Sequence, residues 1–284
     1  MARITLPHNP ELKGLLDLRA NIPFAAPDGQ ELALQLIKPQ WSSGGQGFPL
    51  VLFIQGSAWT KPNQFWQLPQ LAQLAAQGYV IASVTHRACW TAPAPAFLLD
   101  VKTALRFLRA HAREYDIDKE RVCAWGTSSG GNTALLLGVT GDDPAFEGEE
   151  WAGESTRVQA VVDCFGPSDL ARIYDAHPER IQPADDNLFY ALGGRDLSAI
   201  RENFARISPV NYVKPGLELP PFMLLHGDAD ELVAMDQSEV MYDLLLDNGY
   251  QADLVHVTNA PHEGTFWSPE LLDVVFAFIR RHLG

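Results

Sequence analysis

Val122-Cys123-Ala124-Trp125-Gly126-Thr127-Ser128-Ser129-Gly130-Gly131 is the stretch whose reading decides the fold. An apolar, β-prone run ends at Gly126, and Asn132-Thr133-Ala134-Leu135-Leu136-Leu137 beyond it reads as a helix. Strand, tight turn and helix therefore meet at a serine. The positions two before and two after Ser128 are glycines, because a sharp apex brings the strand and helix backbones close together. The Ser128 hydroxyl then stands clear of the sheet, and the Ser129 backbone N–H points toward the same space at a helix N-terminus. Ser128 is the candidate nucleophile.

Outward from this turn, strands and helices alternate. Leu50-Val51-Leu52-Phe53-Ile54 is apolar on both faces, as a buried parallel strand must be. Residues 68–77 read as a helix, 79–84 as a strand and 97–115 as a long helix with Leu98, Val101, Leu105 and Leu108 on one face. Downstream, residues 160–165, 221–226 and 253–257 read as strands, with helices over 237–248 and 269–282. Upstream, residues 22–26 and 31–38 flank Pro27-Asp28-Gly29, which predicts an N-terminal hairpin. Pro178, Pro183, Gly193 and Gly194 break the helical pattern of residues 168–208, which are expected to form an insertion or cap. The whole reads as a single α/β domain over residues 1–284, a mostly parallel sheet covered by helices on both faces.

Composition agrees with a globular enzyme-sized domain. Of 284 residues, 46% are hydrophobic and 20% charged, and the net charge of −14 speaks against nucleic acid or an anionic membrane as a partner. The apolar runs are too short to span a bilayer. Cys89, Cys123 and Cys164 form neither a disulfide framework nor a metal-ligand spacing. The acidic run from Asp142 to Glu150 is expected to be a solvated loop. Residues 1–16 carry one early arginine and no continuous apolar core, so they do not read as a signal peptide as they stand. A reducing, cytoplasmic setting is the expectation, with secretion requiring a signal removed beforehand.

A serine nucleophile needs a base to take its proton and an acid to orient that base. Leu224-Leu225-His226-Gly227-Asp228-Ala229-Asp230-Glu231 leaves a strand and offers three acids, of which Asp230 is favoured and Asp228 is read as bracing the turn. Of eight histidines, only His262 sits on the loop between the last strand and the last helix. His226, at a strand end, is expected to be a satisfied core histidine. Ile54-Gln55-Gly56-Ser57-Ala58-Trp59 follows an early strand, so the backbone N–H groups of Ser57, Ala58 and Ser129 are the candidate oxyanion donors. Trp59, Phe65, Trp66, Trp90 and Trp267, with Phe266 beside the last, bunch on loops at the same edge of the sheet and are candidates to line a substrate pocket.

With these residues in place, the chain resembles the hormone-sensitive-lipase-like and acetylxylan- or feruloyl-esterase-like branch of the α/β-hydrolases, across roughly residues 22–283. The resemblance rests on Gln55-Gly56-Ser57-Ala58-Trp59 where the family has His-Gly-Gly-Gly-Trp, and on His86-Arg87, Asp100 and Gly-Thr-Ser-Ser-Gly-Gly. It continues through Phe165-Gly166-Pro167-Ser168-Asp169-Leu170, His226-Gly227-Asp228-Ala229-Asp230 and His262. It implies a serine carboxylesterase acting through an acyl-enzyme on a small-molecule ester, such as acetyl or hydroxycinnamoyl groups on plant-derived carbohydrate, including acylated oligosaccharides. It places the acid on Asp230 and makes Arg87 and Asp100 structural ion-pair partners. Such chemistry needs no metal and no organic cofactor. Gln55 departs from the family histidine that braces the loop, while Ser57 and Ala58 replace glycines and are expected to narrow the acyl site. Two rival readings are an amidase or aryl-formamidase with the same triad, and a non-catalytic ligand receptor on the same fold.

Overall fold

A computed structural model describes residues 1–284. Eight strands form one sheet: β1 (Leu16–Ala25), β2 (Leu32–Pro39), β3 (Phe48–Ile54), β4 (Val80–Val84), β5 (Ile117–Thr127), β6 (Ala160–Cys164), β7 (Phe222–Gly227) and β8 (Ala252–Val257), in the order β1-β2-β4-β3-β5-β6-β7-β8. The pairs of β2 with β1 and with β4 are antiparallel and all others are parallel. The hairpin read around Pro27-Asp28-Gly29 is present, its first strand longer than its sequence suggests. The nine helices are α1 (Leu68–Ala75), α2 (Ala96–Ala110), α3 (Ala112–Tyr115), α4 (Ser129–Thr140), α5 (Leu170–Ala176), α6 (Leu188–Leu192), α7 (Ile200–Arg206), α8 (Asp236–Asp247) and α9 (Pro269–Leu283).

The sheet separates two apolar layers. One holds α2, α4 and residues of 170–213 against Leu50, Leu52, Ala124 and Leu224. The other packs α1 and α9 against Val51, Phe53, Trp125 and Leu225. Alternate residues of the central strands enter opposite layers, which explains why their sequences are apolar throughout.

Helix α2 departs from a one-faced amphipathic pattern. Lys102, Arg106 and Arg109 are buried because the segment between α4 and β6 lies over them. Lys102 Nζ meets Glu147 Oε1 at 3.0 Å, Arg106 meets Glu147 Oε2 at 2.8 Å, and Arg109 donates to the carbonyls of Ser155 and Arg157. The acidic run expected to be solvated is thus partly an internal anchor through Glu147. Arg87 and Asp100 do form the ion pair, closing at 2.8 Å and tying the end of β4 to α2, while Arg87 also reaches Asp28 in the hairpin turn at 2.7 Å. All three cysteines are buried and unpaired. No helix is long and apolar enough to cross a membrane.

Candidate active site

The turn between β5 and α4 holds Ser128 at φ 53°, ψ −124°, a conformation that costs a non-glycine residue strain and persists only where its surroundings enforce it. They do so by contact. A Cβ on Gly126 would come within 1.9 Å of the Gly130 carbonyl oxygen, and one on Gly130 within 2.0 Å of the Ile54 carbonyl oxygen. The glycines therefore let the strand, the helix and β3 meet under the serine.

Ser128 Oγ lies 2.9 Å from His262 Nε2, and His262 Nδ1 lies 2.6 Å from Asp230 Oδ2. A carboxylate oxygen only accepts, so Nδ1 carries the hydrogen and Nε2 is left to accept from the Ser128 hydroxyl. Asp230 is held from both sides. Oδ1 accepts from the N–H groups of Leu232 (2.8 Å) and Val233 (2.9 Å). Oδ2 also lies 3.3 Å from His226 Nε2. Burial pushes the Asp230 carboxyl upward, but these donors, His226 and His262 foremost, outweigh it and hold the group well below the usual carboxylate range.

His226 is fully buried and bonded at both nitrogens, to Ser238 Oγ at 2.7 Å and to the Val233 carbonyl at 2.9 Å. Its second contact to Asp230 makes it more than a packed core histidine. Asp228 points away, to His256 (2.9 Å) and the Asn259 N–H (2.5 Å), bracing the turn. Phe165, quoted above only as part of the Phe165–Leu170 motif, packs its ring 4.6 Å from that of His262 and 4.8 Å from Phe266. That motif marks the end of a strand without showing that its first residue meets the base.

The oxyanion loop differs from expectation at one donor. The Ser57 N–H is engaged by Ser129 Oγ at 3.0 Å, so it is not free for a substrate oxygen. The N–H groups of Ala58 and Ser129 have no partner within the protein and remain available. Gln55 reaches Thr127 Oγ1 at 3.3 Å and the Gly56 N–H reaches the same oxygen at 2.9 Å, which ties the loop to the serine turn. The Ser57 hydroxyl donates to the Thr60 carbonyl at 2.7 Å and the Thr60 hydroxyl returns the bond at 2.6 Å. Ser57 stiffens the loop. Ala58, at φ 51°, carries the side chain left beside the site.

A cavity of about 340 Å³ opens over Ser128 and His262, bounded by the 55–58 loop, Asn63, Trp66, Leu232 and Glu263. Only one of the five candidate aromatics faces it, Trp66, which is 65% exposed. Trp59 turns inward onto Phe97 (ring centroids 6.2 Å) and is buried. Phe65 is exposed and Trp90 packs against the core, both outside the cavity. Trp267 stands behind Glu263, donating its indole N–H to Glu263 Oε2 at 3.0 Å, and lines a second cavity. Asn63, Leu232 and Glu263 were not singled out in the sequence. Leu232 had a readable signal, a large apolar residue two positions past the acid. No residue of 168–208 is among those that bound the cavity.

The BD-FAE family model matches residues 34–245, well over half of the chain. A probable carboxylic ester hydrolase, LipM, from Mycobacterium tuberculosis (strain ATCC 25618 / H37Rv) is 32% identical over 199 residues, covering 69% of this chain and 44% of the relative. Esterase LipC of the same organism is 31% identical, covering 69% and 48%. The chain spans about half the length of the curated relatives it matches. Among solved structures, a truncated carbohydrate esterase from gut microbiota superimposes with a TM-score of 0.79 at 25% identity, covering 96% of this chain and 98% of that one. The bifunctional GH43-CE protein of Bacteroides eggerthii gives 0.81 at 26% identity, over 97% of this chain and 39% of its own.

Proposed function

The chain belongs to the BD-FAE family, and from that membership we propose that it is a serine carboxylesterase acting through an acyl-enzyme on short acyl esters. The single observation that carries the reading is the unbroken line Ser128 Oγ, His262 Nε2, His262 Nδ1, Asp230 Oδ2, with two unpartnered N–H groups beside the serine.

Ser128 Oγ attacks the ester carbonyl carbon while its proton passes to His262 Nε2. The carbonyl π electrons move onto oxygen, where the Ala58 and Ser129 N–H groups receive the negative charge. Collapse of the tetrahedral intermediate re-forms the carbonyl and breaks the bond to the alcohol oxygen, which takes the proton from His262. Water then repeats the sequence on the acyl-serine, giving up one proton through His262 and returning Ser128 and the free acid. Asp230 stays ionised and holds the imidazolium. No step asks for a metal or an organic cofactor, because the attacking group is a side chain activated by a neutral histidine, and turnover is expected to survive excess chelator.

For the substrate, we favour acetyl or hydroxycinnamoyl esters of plant-derived carbohydrate. The family resemblance supports this, as does the likeness to a carbohydrate esterase from gut microbiota. Ala58 in place of a glycine favours a small acyl group, and one methylene that does not fit costs about 1–3 kcal/mol of transition-state binding. The test is a kcat/KM series of p-nitrophenyl esters from acetate to laurate, run beside acetylated xylo-oligosaccharides and methyl ferulate. Acetate to butyrate should lead, and Ser128→Ala should abolish turnover. Efficient hydrolysis of laurate would overturn the short-acyl preference, and turnover retained by Ser128→Ala would overturn the mechanism.

A further inference from the structure

Glu263, the residue after His262, combines three features that catalysis by the triad does not require. Its backbone sits at φ 66°, ψ −168°, a region that is nearly the preserve of glycine. Glycine would adopt these angles without strain. The chain instead places a long acidic side chain there. That side chain forms part of the wall of the cavity above Ser128 and also of a neighbouring cavity of about 230 Å³. Finally, only one of its carboxylate oxygens is used. Oε2 accepts from Trp267, whereas Oε1 is buried and meets no donor of the protein.

The second cavity has a particular chemistry. Trp66 and Trp267 contribute aromatic surface over the buried Trp125, and Gln67 and Gln70 contribute amides that make no side-chain hydrogen bond within the protein. Apolar faces ringed by polar acceptors and donors match a sugar, whose ring has C–H faces and a hydroxyl rim. The volume is below the roughly 300–1,000 Å³ of sites for larger ligands, which suits one ring. Trp66 stands between the two cavities, mostly exposed and with its indole N–H unbonded, so it can yield to an entering group. The leaving oxygen must lie at His262 Nε2 to take its proton, which sets the alcohol half of an ester on the side of His262 and Glu263.

We propose that Glu263 selects the alcohol half of the ester, its carboxylate accepting a hydrogen bond from a hydroxyl of a sugar ring seated between Trp66 and Trp267. This rests on the esterase reading and adds to it the residue that recognises the leaving group. Hydrogen bonds to a charged acceptor are the strong ones, so the expected effects are tenfold or more.

The experiment holds the acyl group constant and varies the alcohol: ethyl acetate, methyl mono-O-acetyl-β-D-xylopyranoside and acetylcholine. The wild-type kcat/KM for the acetylated xyloside should exceed that for ethyl acetate by at least tenfold. Glu263→Gln and Trp66→Ala should each cut that ratio at least tenfold, with the loss in KM. Stoichiometric labelling of Ser128 by a fluorophosphonate checks that each variant is folded. No preference among alcohols in the wild type would overturn the subsite while leaving the esterase reading intact. So would an equal fall for all three substrates in kcat, which would make Glu263 a support for His262. A Glu263-dependent preference for acetylcholine would replace the sugar by a cation held over the indoles. If no ester is turned over at all, it is the esterase reading that fails.

Discussion

Asp163 and Asp230 lie beside neighbouring strands at the same end of the sheet, and neither side chain is more than 1% exposed. Their environments push them in opposite directions. Asp163, in β6, accepts one hydrogen bond, from the Gly166 N–H at 3.0 Å, and its Oδ2 has no partner. Burial there raises its carboxyl well above the ordinary range, the one bond offsetting little. Asp230, two residues before the start of the Leu232-Val233 turn, collects two backbone N–H groups and two imidazoles and is held well below that range. At Asp230 the donors outweigh the cost of burial, whereas at Asp163 a fuller desolvation meets a single donor. One is placed to support an imidazolium at His262; the other fills space beneath Gly131 and Gly166.

The contrast is broken or upheld first by activity. Asp230→Asn should lower kcat by about 10⁴-fold, the size expected when the acid of a serine triad loses its charge. Asp163→Asn should leave kcat within about tenfold, and Asp228→Asn likewise. Steady-state hydrolysis of p-nitrophenyl acetate, with circular dichroism as a check on folding, measures all three. If Asp228→Asn proves the inactive variant, the acid has been assigned to the wrong residue.

Stability gives a smaller effect. Replacing His226 with alanine leaves Ser238 Oγ and the Val233 carbonyl without their buried partner, at about 1–3 kcal/mol for each unsatisfied group. It also removes one donor from Asp230. Urea unfolding of His226→Ala should show that loss, and its kcat should fall while KM moves little. An unchanged midpoint would mean that the His226 bonds contribute nothing net.

The most delicate comparison is the pH dependence of unfolding. The folded state depresses the Asp230 carboxyl, so its contribution to stability is complete above the unfolded value near about 3.9 and is lost as pH falls toward the folded one. Asp163 is raised, so above about 3.9 the unfolded chain ionises there while the folded protein resists. Stability drains away with rising pH until the folded value is passed. Asp163→Asn should therefore match wild type near pH 4 and exceed it increasingly toward pH 8. Asp230→Asn should be less stable at pH 7 and approach wild type in acid. Melting curves that shift in parallel for both variants would contradict the opposite shifts of the two carboxyls.

What was legible in the sequence was what is local. The strand–turn–helix around Ser128 is fixed by small residues at short spacing, and strand ends order Asp230 and His262 after it. The directions in which loop side chains face were not legible. Trp59 adjoins the oxyanion loop, but at φ 54° it turns inward onto Phe97. The Ser57 N–H is taken by Ser129, a partner 72 positions away that no local pattern announces. Likewise nothing local announces the burial of Lys102, Arg106 and Arg109, because the segment that covers them follows three elements later. Glu263 could have been noticed only as an acidic residue beside the base, since its positive φ belongs to the folded loop.

The central claim, that Ser128 is the nucleophile of an ester hydrolase, is tested most directly by titrating the protein with a fluorophosphonate while following p-nitrophenyl acetate hydrolysis, then mapping the adduct by mass spectrometry. The account predicts one adduct per chain, on Ser128, with turnover lost in proportion to labelling and no labelling in Ser128→Ala. Turnover that persists at full labelling, or an adduct on any other residue, would contradict it.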